Sequence, residues 1–134
     1  MVEKMDDEEK RIIESKIKKY LDRENRVVYN VNERNFEDLV IEMSNKIPVI
    51  VDFWAEWCYP CKMLSPVIEK VVKKFNGKVI LAKVNVDENP NLAMEYNIMS
   101  IPTVLMFKNG NIVDYFVGFI PEDQIEKWIE KNLG

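Results

Sequence analysis

The run Val49-Ile50-Val51-Asp52-Phe53-Trp54 does most to limit the folds open to this chain. Successive side chains of a strand point to opposite faces, so a strand with one wet face alternates apolar and polar residues. Here both alternating sets are mostly apolar, which marks a strand covered on both sides, as at the middle of a sheet with helices above and below. The pattern predicts a central strand over 48–55 in an α/β architecture. Its exception is Asp52, a carboxylate in a place that should be dry.

The flanking sequence alternates short β-rich runs with helical spacing, which suggests a mixed α/β sheet. Residues 26–31 read as a strand. A helix over 33–44 follows, with Phe36, Leu39, Val40 and Met43 on its apolar face. After the central strand, Cys58 to about Phe75 has helical spacing through Met63, Val67, Val71 and Phe75, with a kink expected at Pro66, which has no amide hydrogen. Residues 79–86 make a strand, 91–96 a short helix and 103–108 another strand. Asn109-Gly110 is the best turn signal in the chain, because both residues tolerate the positive φ of a type I′ hairpin, so 111–117 must return antiparallel. A last helix over 121–133 has proline at its start and Ile125, Trp128, Ile129 and Leu133 on one face.

The composition changes near Arg26. The first 26 residues hold eight basic and eight acidic side chains, while the rest carries the whole net charge of -4. Ile13, Ile17, Tyr20 and Leu21 fall at helical spacing, and Asp6 followed by Glu9 resembles an N-terminal capping pair. Residues 1–25 therefore read as a helical extension, an amphipathic helix from Asp7 to about Asp22, and residues 26–134 as the domain. Four apolar side chains make a small interface, so a monomer is expected, with a weak dimer through this helix as the alternative.

A chain of 134 residues with 47% hydrophobic content can bury one core. Its acidic balance gives no reason to expect nucleic acid, which calls for a basic face. No apolar run approaches the roughly 18 residues of a membrane span, and the acidic first residues do not read as a signal peptide. A cytoplasmic location follows as the expectation, and there structural disulfides are rare. Two cysteines and no histidine fall short of the four ligands a structural zinc needs, so no metal is expected. The lack of histidine also leaves proton transfer to carboxylates, lysines or thiols.

The two cysteines are three residues apart. Cys58 follows the central strand and opens the next helix, where unsatisfied N–H groups and the helix dipole favour an anion such as a thiolate. The thiolate is the reactive form, so Cys58 gains nucleophilicity near neutral pH. Cys61 lies one turn on, on the same face, within reach of a disulfide. Asp52, desolvated inside its strand, should have a raised pKa, which suits a proton acceptor.

Val51-Asp52-Phe53-Trp54-Ala55-Glu56-Trp57-Cys58, then Pro60-Cys61-Lys62 and Pro66, resembles the signature of the thioredoxin family. Ala82-Lys83-Val84-Asn85-Val86-Asp87, Ser100-Ile101-Pro102-Thr103, Phe107-Lys108-Asn109-Gly110 and Val117-Gly118 follow in the family's order. The resemblance covers nearly all of 27–133. It implies a thioredoxin fold, with a central mixed five-stranded sheet flanked by helices, and a protein-disulfide reductase that maintains cytosolic thiols. Cys58 would attack a substrate disulfide and Cys61 would resolve the mixed disulfide. Asp52 would accept the Cys61 proton, directly or through a water, with Lys83 as electrostatic support. Pro102 matches the family's cis-proline, and Trp57, Tyr59, Pro60, Ile101 and Gly118, with Phe119 beside them, would form an apolar substrate surface. The implied partners are oxidised proteins and a thioredoxin reductase; no cofactor is implied beyond the redox-active disulfide Cys58–Cys61.

One departure stands out: Tyr59 occupies a position where the family usually has glycine, so the redox potential cannot be carried over. An oxidase or isomerase needs a less reducing potential. A binding module that uses the surface around Trp57 and Ile101 rather than the thiols is the alternative of a different class. Glutaredoxin activity fits less well, since that family reverses the intervening residues to Cys-Pro-Tyr-Cys.

Overall fold

The computed structural model describes residues 6–21 and 26–134, with only the backbone of 17–21; the side chains of Ile17, Tyr20 and Leu21 lie outside the described residues. Five strands form one sheet: β1 (Val28–Asn30), β2 (Val49–Trp54), β3 (Ile80–Asn85), β4 (Thr103–Lys108) and β5 (Asn111–Val117). Their spatial order is β1-β3-β2-β4-β5, which puts β2 in the middle. β1 and β2 both run parallel to β3, whereas β4 is antiparallel to β2 and β5. The α-helices among the described residues are α1 (Asp7–Leu21), α2 (Tyr59–Lys74), α3 (Pro90–Glu95) and α4 (Glu122–Leu133).

The sheet separates two cores. On one face Ile50, Leu81, Val104 and Met106 pack against Leu64 and Ile68 of α2 and Ile125, Trp128 and Ile129 of α4. On the other, Val51, Phe53, Val84 and Phe107 meet Phe36, Leu39, Val40 and Met43, with Leu92 of α3. Residues 49–53 of β2 are buried without exception, as a strand apolar on both faces requires. The hairpin forms where the sequence places it: Asn109 and Gly110 have φ of 53° and 80°. Both amides there are satisfied by the buried Ser44, Asn109 N–H by its carbonyl and Gly110 N–H by its hydroxyl, each at 2.8 Å.

Three local expectations are refined. Residues 37–45 are helical, but as a π-helix (Glu37–Glu42) followed by a 3₁₀ turn (Met43–Asn45), with turns over the preceding residues. The predicted face is still the buried one. In α2, the row Met63, Val67, Val71, Phe75 is not the buried stripe: Met63 is exposed, and Cys61, Leu64, Ile68, Val71 and Val72 are inside. Four residues advance the helix by about 400°, so a strict i+4 row drifts about 40° per step from solvent into the core. The first strand is shorter than 26–31, although its ladder continues through Leu81 N–H to the Val27 carbonyl and Val31 N–H to the Lys83 carbonyl.

α1 begins with Asp6 accepting the Glu9 amide at 2.7 Å, which satisfies a donor that the first turn leaves free. Ile13 packs against the core on the side of residues 36–43. Exposed ion pairs, Lys46 with Glu14 at 3.3 Å and Lys16 with Asp38 at 3.8 Å, flank that contact. Pairs of this kind contribute little, roughly 0–1 kcal/mol each. No helix among the described residues is long and apolar enough to cross a membrane.

Candidate active site

Cys58 is the N-cap of α2, with extended backbone angles (φ -91°, ψ 105°), and Pro60 occupies the first turn, where a missing amide hydrogen costs nothing. The Cys61 amide donates to Cys58 Sγ at 3.2 Å. That donor would favour a thiolate on Cys58 when the pair is reduced, reinforced by the positive end of the helix dipole. The two residues are joined by a disulfide with Cα atoms 5.3 Å apart, and both are buried. Ile101 comes up from the opposite side through a cis peptide bond to Pro102. Its carbonyl oxygen lies 3.7 Å from Cys58 Sγ; a disulfide sulfur has no hydrogen, so this is a contact until the bond is reduced.

The other predicted contact residues differ in exposure. Trp57 and Tyr59 are 71% and 72% exposed. Pro60 and Phe119 are also exposed, Ile101 and Gly118 are half-buried, and Pro102 is buried. Gly118 has φ 88° and donates its amide to the Pro102 carbonyl at 2.8 Å, which ties the end of β5 to the cis-proline loop. Trp57 is held by its indole N–H, which donates to Asp87 Oδ2 at 2.9 Å. Beside it, Trp57, Met94, Ile98, Met99 and Ile101 border an open groove of about 540 Å³. Met94 and Met99 are among the most exposed apolar residues, at 77% and 85%.

Asp52 sits beneath α2. It is fully buried, and neither carboxylate oxygen has a hydrogen-bond partner. Burial pushes its pKa up to about 7, aided by the Glu69 charge and opposed by that of Lys83. Lys83 is the register neighbour of Asp52 on β3. Its ammonium, however, donates to Ser65 Oγ at 2.7 Å and Glu69 Oε2 at 2.9 Å, and stands 5.4 Å from the centre of the Trp54 ring. Burial raises the Glu69 pKa, but the hydrogen bonds from Lys83 and Ser65 outweigh it and hold the carboxyl below the usual range.

Ser65, Glu69, Asp87, Met94 and Met99 were not among the residues that sequence reasoning selected. For Ser65 and Glu69 a signal existed: Cys61, Ser65 and Glu69 recur every four residues, a polar row leading away from the cysteine along one side of the helix. Met94 lies in α3 and Met99 between Ile98 and Ser100, but nothing local distinguishes either from a core residue. Among the described residues, no three His, Cys, Asp or Glu side chains come together as a metal ion needs.

Comparison with known proteins agrees with this geometry. A family model described as Thioredoxin matches residues 27–131. A thioredoxin of Rickettsia felis is 47% identical over 104 residues, covering 78% of this chain and 97% of the relative. One from Chlorobaculum thiosulfatiphilum is 48% identical over 106 residues, 79% and 96% of the two chains. A mitochondrial thioredoxin of Bos taurus is 50% identical over 100 residues, 75% of this chain and 59% of that one.

Proposed function

The chain belongs to the thioredoxin family and is a thiol-disulfide oxidoreductase of the thioredoxin fold, and from that premise we propose that it reduces disulfides of other proteins with Cys58 as nucleophile and Cys61 as resolving thiol. The observation that carries the assignment is the Cys61 amide directed at Cys58 Sγ at the N-terminus of α2, with Cys61 itself joined to that sulfur. In the reduced protein, the Cys58 thiolate attacks one sulfur of a client disulfide and the other client sulfur leaves as a thiolate. Asp52 then takes the proton of Cys61, and the Cys61 sulfur displaces the remaining client sulfur from Cys58. The client gains two electrons and the cysteine pair loses them.

Trp57, Tyr59, Pro60, Ile101, Pro102 and Gly118 form the place where the client strand lies. The cis-proline turns the Ile101 backbone toward an extended segment, which main-chain hydrogen bonds can hold whatever its side chains. The cycle closes on a thioredoxin reductase, and Cys58–Cys61 is the only redox group it requires. The compartment is the cytoplasm, where clients are kept reduced; relatives named mitochondrial and chloroplastic make cell fractionation the check on that point.

Reduction of insulin disulfides by the wild-type protein, supplied with a dithiol, tests the reading. Cys58→Ser should abolish turnover, and Cys61→Ser should accumulate a mixed disulfide visible by mass. Full turnover by Cys58→Ser would overturn the chemistry. The equilibrium potential distinguishes tasks within it: a value near the roughly -270 mV typical of a thioredoxin supports a reductase, whereas about -180 mV or above would make the chain an oxidase or isomerase.

A further inference from the structure

Ser65 and Glu69 take no part in the exchange just described, yet both hold the neighbour of its buried carboxylate. Lys83 Nζ donates to Ser65 Oγ and to Glu69 Oε2, and Ser65 Oγ donates to the same Glu69 oxygen at 2.8 Å. The three groups close a ring. Asp52 stands opposite Lys83 in the next strand, and strands are about 4.8 Å apart. A lysine stem is long and flexible, so its ammonium is the obvious counter-ion for that carboxylate. Instead it is bonded to α2, and both Asp52 oxygens are without a partner.

We propose that Glu69, assisted by Ser65, is a positioning residue for the exchange reaction: it tethers the Lys83 ammonium on α2 and so leaves Asp52 a strong enough base to take the Cys61 proton. The proposal rests on the reading of Asp52 as proton acceptor. Few other charges share this layer. β4 presents Val104 in register with Asp52, and α4 covers the face with Ile125, Trp128 and Ile129. α2 contributes the cysteine pair and Glu69, with Lys73 acting on Glu69 from the following turn. Lys70 and Lys74 are paired with Glu122 of α4, and Lys74 also with Glu126.

Loss of the Glu69 charge acts twice in one direction. It removes a like charge near Asp52, and it frees Lys83 to turn toward that carboxylate. Both changes favour ionised Asp52 and weaken it as a base. In the step affected, a proton passes from Cys61 Sγ to an Asp52 oxygen and a bond forms between the two cysteine sulfurs. The bond from Cys58 to the client sulfur breaks, and that sulfur leaves with the electron pair.

The test is the pH dependence of mixed-disulfide resolution, followed by tryptophan fluorescence in single turnover with a peptide disulfide. If reduced wild-type protein does not reduce the peptide at all, the functional reading falls and this proposal with it. With an active wild type, Glu69→Gln should move the midpoint of the acid limb down by about one pH unit and lower the plateau about threefold. Glu69→Asp should restore most of both, and Glu69→Gln should add less than about twofold to Asp52→Asn. An unmoved midpoint overturns the proposal, as does an undiminished effect in the Asp52→Asn background. Should Glu69→Gln not fold, Ser65→Ala removes one partner of the ammonium without changing charge. It should shift the midpoint the same way by a smaller amount, and no shift there overturns the proposal equally.

Discussion

Asp52 and Asp114 are the same residue type in strands of one sheet, and the fold gives them opposite chemistry. Asp52 lies in central β2, buried, with both oxygens unpartnered and a pKa pushed up to about 7 by burial. Asp114 lies in edge strand β5. Burial pushes its pKa up as well, but Asn132 at 2.9 Å, Lys131 at 3.1 Å and the Tyr115 amide at 2.8 Å outweigh it and hold the carboxyl below the usual range. Position in the sheet decides the outcome: an edge strand leaves room for α4 to supply donors, whereas β2 is enclosed by neighbours that have none to spare. One carboxylate helps to hold the fold, and the other stays buried and unpartnered at the fold's expense.

The contrast predicts stability changes of opposite sign. Because the folded-state pKa of Asp52 is raised, the folded protein binds the proton more tightly than the unfolded chain. Its contribution is fully present below the unfolded pKa near 4 and is lost as pH rises through about 7. Asp52→Asn should therefore stabilise the protein most at pH 8, by on the order of 3 kcal/mol, and hardly at pH 3. Urea unfolding at the two pH values measures this, and a variant less stable at pH 8 would break the comparison. The same substitution should slow mixed-disulfide resolution about 10²-fold, the low end for loss of a proton acceptor; unchanged single-turnover kinetics would remove Asp52 from the mechanism.

Asp114→Ala should cost about 1 kcal/mol at neutral pH and leave the redox potential unmoved. Since the Asp114 pKa is lowered, its contribution is present above the unfolded value and fades as pH falls through the folded one, so the difference from wild type should shrink in acid. The smallest effect concerns α1. Removal of residues 1–25 should leave insulin reduction within about twofold, because its described contacts are Ile13 against the core and exposed ion pairs to Asp38 and Lys46, none of them a residue of the site. A collapse of the thermal midpoint would instead make the extension part of the domain.

The features legible in the sequence are those set by neighbours along the chain. Two-sided apolarity in 49–54 identifies the central strand, Asn109-Gly110 forms the turn its backbone freedom allows, and Cys58 caps the helix that starts beside it. Asp52 is visible as an anomaly for the same reason. Less legible were features that depend on how elements cross. A four-residue row in α2 misses the buried stripe because the helix rotates against any such row, and nothing local shows that residues 37–42 take π geometry.

The chain's order of residues alone thus determines a central strand with a carboxylate inside it, a cysteine pair at a helix start and a hairpin that completes the sheet, since periodicity, turn chemistry and capping act over a few residues. Only the tertiary structure decides where Lys83 sends its charge. Ser65 and Glu69 are 18 and 14 residues away from it in sequence, and they reach the ammonium because α2 crosses over β3 with that row of its surface facing down. Trp57 likewise meets Asp87, 30 residues on, because parallel β2 and β3 end at the same edge of the sheet. A charge in a dry interior takes whichever partner the packing brings within hydrogen-bond reach, and that distance is fixed by the packing of helix on sheet.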